Sequence, residues 1–108
     1  MLRNTLNRAS AMPSFLHTLL DSPGPSGFET APAKLWRKEA TSFADEVRGD
    51  VHGNSYATLR AASGQRSAPT IMLAGHIDEI GLMVVHIDDD GFLTFDAIGG
   101  WDSQVFVA

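Results

Sequence analysis

The chain has 108 residues, 44% of them hydrophobic, with no cysteine and a net charge of −5. It can therefore form one small domain with a core but no disulfide or thiolate zinc site, and its composition suits the cytoplasm. Residues 1–66 hold all eight basic residues, whereas residues 67–108 hold seven acidic residues and no Lys or Arg. That second part would repel a polyanion, and no stretch approaches the ~20 apolar residues that span a bilayer, so we expect no nucleic-acid or membrane partner.

The first part of the chain predicts two helices joined by a rigid turn. We interpret residues 1–14 as an amino-terminal extension, and the first helix is predicted to open at Pro13 or Ser14 because proline suits a first helical turn. Residues 22–27 hold two prolines and two glycines, which indicates a structured turn. Thr30 is a candidate N-cap of the second helix. The apolar faces of the two helices are predicted from Phe15, Leu16, Leu19 and Leu20, and from Leu35, Trp36, Ala40 and Phe43.

Further along, the chain predicts two strand pairs. Residues 45–51 and 55–59 are predicted to pair around a tight connection in which Gly and Asn tolerate positive φ. A second hairpin is predicted within residues 82–95, where Asp-Gly lies between two apolar runs. The glycines at 99–100 then interrupt the strand, and residues 104–107 predict one more apolar strand.

An uncharged apolar run at residues 70–75 leads into three ionisable side chains, those of His76, Asp78 and Glu79. The run predicts a buried strand that is covered on both faces. Residues two apart in an extended chain point to the same side, so His76 and Asp78 would share a face at the strand's carboxyl end. A neutral imidazole binds a divalent ion through one nitrogen while a carboxylate accepts the other N–H. The pair therefore indicates metal ligation, and a plain strand end with both side chains hydrogen-bonded to backbone is the alternative.

These residues also carry a resemblance to a known family. The motifs are Gly75-His76-Ile77-Asp78-Glu79-Ile80-Gly81-Leu82-Met83-Val84, Ile98-Gly99-Gly100-Trp101-Asp102, Pro25-Ser26-Gly27-Phe28-Glu29 and Asp50-Val51-His52-Gly53-Asn54. Together they resemble the glutamyl and deblocking aminopeptidases, the TET-type metallo-aminopeptidases of clan MH, some of which carry an endoglucanase label. The resemblance runs from about Phe15 to Val107, with the motifs in family order.

The resemblance implies an α/β fold: residues 15–98 would be the N-terminal portion of a zinc-peptidase-like three-layer α/β/α catalytic domain. Residues 99–108 would start an inserted β-rich oligomerisation domain. The implied function is metal-dependent removal of amino-terminal residues from peptide substrates by two divalent ions, zinc or cobalt, in an enzyme that is a homo-oligomer at full length. His76 would be a terminal ligand of one ion, and Asp78 would orient its ring. The other ligands and the base would lie downstream, so we expect the 108-residue chain alone to be inactive.

Two other classes of function stay open. One is a glycoside hydrolase of endoglucanase type, which needs two carboxyl groups flanking the bond, whereas Asp78 and Glu79 would point to opposite faces of a strand. The other is a non-catalytic module that pairs with another chain through exposed strand edges and mediates oligomerisation. Glu79 matches a family position but receives no role. The remaining histidines are interpreted as solvent-exposed residues, namely His17, His52 and His86.

Overall fold

The computed structural model describes residues 13–61, 69–102 and 104, and within these it contains two helices and four strands. In chain order they are α1 (Ser14–Leu20), α2 (Thr30–Ala40), β1 (Glu46–Gly49), β2 (Ser55–Thr58), β3 (Gly81–Ile87) and β4 (Leu93–Ile98). The predicted α/β class is confirmed. The extension predicted at residues 1–14 and the strand predicted at residues 104–107 fall mostly outside the described residues, so both stay predictions.

Both predicted helices are present, and their starts differ in how they are made. α1 begins at Ser14 after Pro13, whose φ of −54° is already close to that of a helix. α2 begins at Thr30 itself, so the N-cap prediction for Thr30 is wrong: Glu29 occupies that position, and no side chain caps the helix. The Glu29 carboxylate instead accepts the N–H of Gly27 at 2.6 Å, within the preceding turn.

The first hairpin pairs β1 and β2 antiparallel, as predicted, and one carboxylate organises its turn. Asp50 accepts the N–H of His52 at 3.0 Å and that of Asn54 at 3.0 Å. It also accepts the side-chain amide of Asn54 at 2.9 Å and the hydroxyl of Tyr56 at 3.0 Å. These hydrogen bonds, that of the Asn54 side chain foremost, lower the pKa of Asp50 to about 2. The same contact with Asp50 raises the pKa of Tyr56.

We expect this turn to survive mild acid. Because the pKa of Asp50 is lowered from 3.8 to about 2 on folding, its stabilising effect is fully present above pH 3.8 and is lost as the pH falls through about 2. Amide shifts of His52 and Asn54, followed by NMR during acidification, should therefore change with a midpoint near pH 2. An Asp50→Asn variant should lack this transition. A midpoint near 3.8 in the unsubstituted chain would contradict the assignment.

The second hairpin pairs β3 and β4 antiparallel, with a register shift between Val84 and His86. Its turn is closed by Asp88, whose carboxylate accepts the N–H of Phe92 at 2.8 Å. Gly91 has φ of +87°, a conformation that costs glycine little. The hairpin predicted from the Asp-Gly pair is therefore confirmed.

The strand predicted at residues 70–75 is wrong. These residues have no regular secondary structure, and no strand pairs with them in the part of the chain that the structure describes. Ile71 is 81% exposed and Leu73 is 94% exposed. A short apolar run becomes a buried strand only where neighbours pair with its backbone and cover its faces, and the described residues provide neither. The candidate ligands therefore follow an irregular segment.

The packed part of the described structure lies around α2. This helix contacts α1, β1 and β2. Ala33 and Ala40 on it are 4% and 1% exposed, and Pro32 in its first turn is buried as well. The large apolar side chains of β3 and β4 are mostly half-exposed or more. Neither helix among the described residues has the length and apolar content to cross a membrane.

Candidate functional site

The turn between α1 and α2 lies directly beside the segment that carries the candidate ligands. Glu79 donates its N–H to the carbonyl of Gly24 at 3.0 Å. In return Gly24 donates its N–H to the Glu79 carboxylate at 2.8 Å, across 55 positions of sequence. Pro25 and Glu79 form an isolated parallel bridge. No role was predicted for Glu79 from the sequence. In the structure its paired hydrogen bonds with Gly24 clamp the α1–α2 turn to the segment of residues 76–79.

Close packing fixes the position of this turn. A Cβ atom on Gly24 would lie 2.6 Å from Cγ of Pro32 in the first turn of α2. At the neighbouring position of the turn, a Cβ atom on Gly81 would lie 3.1 Å from Cβ of Pro25. The chain beyond β4 returns to the same place, where the Trp101 indole donates to the carbonyl of Gly81 at 2.8 Å. The turn is therefore seated between α2 and the start of β3.

His76 and Asp78 meet, as their spacing predicts. Nδ1 of His76 lies 2.9 Å from Oδ1 of Asp78 and 3.2 Å from the Asp78 carbonyl oxygen. Both partners are acceptors, so the neutral ring carries its proton on Nδ1 and keeps a lone pair on Nε2. The His76 side chain is 87% exposed and that of Asp78 is 36% exposed. In this arrangement the ring is oriented, and its Nε2 lone pair could bind a metal ion.

The second oxygen of Asp78 is held by a residue that the sequence placed only in a turn. Ser26 donates its hydroxyl to Oδ2 of Asp78 at 2.5 Å, across 52 positions of sequence. The pKa of Asp78 is lowered, first by this hydrogen bond and then by that of His76. The carboxylate is therefore ionised near neutral pH and accepts on both oxygens. No local signal around Ser26 predicts a contact with a residue so far along the chain.

The described residues fit the role of one metal ligand and not a whole site. Within residues 13–61, 69–102 and 104, no group of three or more His, Cys, Asp or Glu side chains could hold a metal ion. The other histidines are exposed and scattered over α1, the β1–β2 turn and β3. Even a simple tetrahedral site takes four ligands. His76 offers an oriented ring whose Nε2 has no hydrogen-bond partner among the described residues, and further ligands would have to come from other residues.

The clamp made by Glu79 can be tested through the amide of Gly24. Replacing Glu79 with Ala removes the acceptor of the Gly24 N–H, and the net loss of about 1 kcal/mol should speed exchange of that amide by about five- to tenfold. Glu79→Gln is the matched control, since its side-chain oxygen still accepts a hydrogen bond. Hydrogen exchange followed by NMR gives both rates. Equal protection of Gly24 in Glu79→Ala and in the unsubstituted chain would show that the side chain does not anchor the turn.

Comparison with known proteins finds aminopeptidases. Residues 53–108 match the family model described as M42 glutamyl aminopeptidase. The chain is 41% identical over 91 residues to the lysyl aminopeptidase of Pyrococcus furiosus, which covers 83% of this chain and 25% of that protein. It is 32% identical over 87 residues to the glutamyl aminopeptidase of Lactococcus lactis subsp. cremoris, which covers 81% of this chain and 24% of that protein.

A solved structure agrees with these sequence relatives. The fold matches the crystal structure of the TET aminopeptidase from the marine sediment archaeon Thaumarchaeota archaeon SCGC AB-539-E09 with a TM-score of 0.70. The two are 37% identical, and the match covers 84% of this chain and 24% of that one. The chain thus spans about a quarter of the length of the relatives it matches. None of these three proteins bears a glycosidase name, so they lend no support to the endoglucanase label.

Proposed function

Because the chain belongs to the M42 glutamyl aminopeptidase family, we propose that it forms part of a metal-dependent enzyme that removes amino-terminal residues from peptides. The family match and the aminopeptidase relatives support the reaction class. The single structural observation that carries the proposal is the contact of His76 Nδ1 with Asp78 Oδ1 at 2.9 Å, in a histidine side chain that is 87% exposed. This is the arrangement of a metal-binding histidine and the carboxylate that orients it.

In this proposal His76 is a terminal ligand of one of two divalent ions, zinc or cobalt, and Asp78 is a positioning residue. A bound ion would supply a Lewis acid that polarises the peptide carbonyl and activates water. Asp78 keeps the proton of the neutral ring on Nδ1, which leaves the lone pair of Nε2 available to an ion. The remaining ligands and the general base are proposed to come from residues other than those described. The 108-residue chain alone is accordingly proposed to be inactive.

We also propose that the complete enzyme is a homo-oligomer. The similar crystal structure is that of a TET aminopeptidase. The resemblance of the present chain to the TET-type enzymes implies a homo-oligomer. The half-exposed apolar side chains of the β3–β4 hairpin are compatible with an interface between copies. A monomer in analytical ultracentrifugation of the complete enzyme, at concentrations where it is active, would contradict this part of the proposal.

The test of the reaction class is a chimera. The 91 matched residues of this chain replace their counterparts in the lysyl aminopeptidase of Pyrococcus furiosus. We expect the chimera to hydrolyse aminoacyl p-nitroanilides. Its activity should be lost when a chelator removes divalent ions and should recover when the ions are restored. The 108-residue chain, assayed in parallel, should release no product. A folded chimera without activity, or activity that survives exhaustive chelation, would reject the proposed function.

A further inference from the structure

Ser26, Asp78 and His76 form one continuous chain of hydrogen bonds. The hydroxyl of Ser26 donates to one oxygen of Asp78 at 2.5 Å, and the other oxygen lies 2.9 Å from Nδ1 of His76. We propose that Ser26 is a positioning residue: it holds the Asp78 carboxylate so that its free oxygen stays aimed at Nδ1 of His76, which fixes the ring tautomer. That this tautomer leaves Nε2 available to bind an ion rests on the proposed function, whereas the positioning of His76 by Ser26 and Asp78 does not.

The need for such a residue follows from the freedom of an aspartate side chain. The terminal torsion of Asp is broad, so a carboxylate held at one oxygen only can swing away from its partner. Asp78 is half-buried and His76 is 87% exposed, so water competes for the hydrogen bond between them. In the described residues both hydrogen bonds of the His76 ring go to Asp78. Whatever fixes Asp78 therefore fixes the imidazole.

Ser26 is able to fix the carboxylate because its own backbone is held. The turn that carries it is clamped by the paired hydrogen bonds between Gly24 and Glu79. It is closed by the Phe28 N–H, which donates to the carbonyl of Pro25 at 2.8 Å. A hydroxyl that donates to an ionised carboxylate makes a short, charge-assisted bond of above-average strength. The α1–α2 turn thus acts on a side chain 52 positions away.

The order of the contacts argues against a different role for Ser26. In a nucleophilic triad the serine hydroxyl contacts the histidine, which takes its proton, and the carboxylate holds the far side of the ring. Here the carboxylate lies between the serine and the histidine. The carboxylate accepts the hydroxyl hydrogen bond, so the His76 ring is not placed to activate the oxygen as a nucleophile. Ser26 is therefore assigned a positioning role and not covalent catalysis.

The experiment measures the tautomer of His76 directly. The full 108-residue chain is labelled with ¹⁵N-histidine, and the ring nitrogen shifts of His76 are recorded at about pH 8.5, where imidazoles in solution are deprotonated. In the unsubstituted chain we expect the Nδ1–H tautomer to dominate. In Ser26→Ala the ratio of Nδ1–H to Nε2–H should fall by about three- to tenfold, as the loss of one hydrogen bond implies. Ser26→Thr keeps the hydroxyl, so its tautomer ratio should equal that of the unsubstituted chain.

Two resonances distinguish positioning from a general loss of structure. The Gly24 amide reports whether the turn stays clamped to Glu79, and the Trp101 indole N–H reports its contact with Gly81. A changed tautomer ratio with both resonances in place supports the proposal. An unchanged ratio in Ser26→Ala, or a change that appears only together with movement of the Gly24 amide, overturns it. Since no activity is measured, an inactive chimera would reject the proposed function and leave this result standing.

Discussion

Replacing His76 with alanine in the chimera is expected to lower kcat/KM for aminoacyl p-nitroanilides by about a thousandfold or more. The reason is that the proposed site would lose one ligand of an ion whose charge stabilisation is worth several kcal/mol in the transition state, and ~4 kcal/mol corresponds to ~10³ in rate. The proposed ring orientation by Asp78 predicts a smaller effect for Asp78→Asn, about 10- to 100-fold, because only the ligand's support is weakened. Steady-state kinetics and the metal content of the purified variants provide both measurements.

His86 is the matched control for this substitution. It is an exposed histidine ten positions further along the chain, on β3, and the proposal gives it no role. His86→Ala should therefore keep the kcat/KM and the metal content of the chimera. If His76→Ala and His86→Ala lower activity to the same degree, or if His76→Ala retains both activity and metal, then His76 is not a ligand.

Replacing Gly24 with alanine is expected to displace the α1–α2 turn from its packed position against α2. The new Cβ atom would lie 2.6 Å from Cγ of Pro32, and a proline ring in the first turn of a helix cannot rotate away. Overpacking of this kind costs about 1–3 kcal/mol, so the N–H of Glu79, which donates to Gly24, should exchange about 5- to 150-fold faster. Hydrogen exchange of the Glu79 amide is the measurement.

A second substitution tests the cause of this effect. Pro32→Ala removes the ring atom that the new methyl group would strike, so in that background Gly24→Ala should cost little. The difference between the two backgrounds measures the coupling between the positions. Gly75→Ala, where a Cβ atom would meet nothing within 4 Å, should leave exchange of the Glu79 amide unchanged. Equal effects of Gly24→Ala with and without the proline ring would show that the clash is not responsible.

Local signals were sufficient to predict most of the regular elements. Pro13 marks the start of α1, and the Asp-Gly turn ending at Gly91 marks the second hairpin, because proline and glycine constrain the backbone on their own. The predicted strand at residues 70–75 failed for the opposite reason. Whether an apolar run becomes a strand depends on neighbours that pair with it, and its own composition carries no information about them.

The candidate site also combines a contact that local sequence predicts with contacts that it does not predict. The contact of His76 with Asp78 agrees with their spacing of two residues, although the strand from which the shared face was predicted is absent from the described residues. The contacts of Ser26 with Asp78 and of Gly24 with Glu79 join positions 52 and 55 apart. The sequence explains Ser26 as a turn residue, so it gives no reason to expect the contact with Asp78. The close approach of Gly24 to Pro32 becomes evident only when the turn packs against α2. Tertiary packing, and not residue type, gives these side chains their places.

The β3–β4 hairpin has a consequence for handling the protein. Leu82 to Val85 is a charge-free stretch in a two-stranded sheet, and the outer edges of that sheet pair with no other strand in the part of the chain that the structure describes. An isolated pair of strands is marginal in water, and open edges template further strand addition. We therefore expect the open edges of the β3–β4 hairpin to favour aggregation when the chain is overproduced by itself.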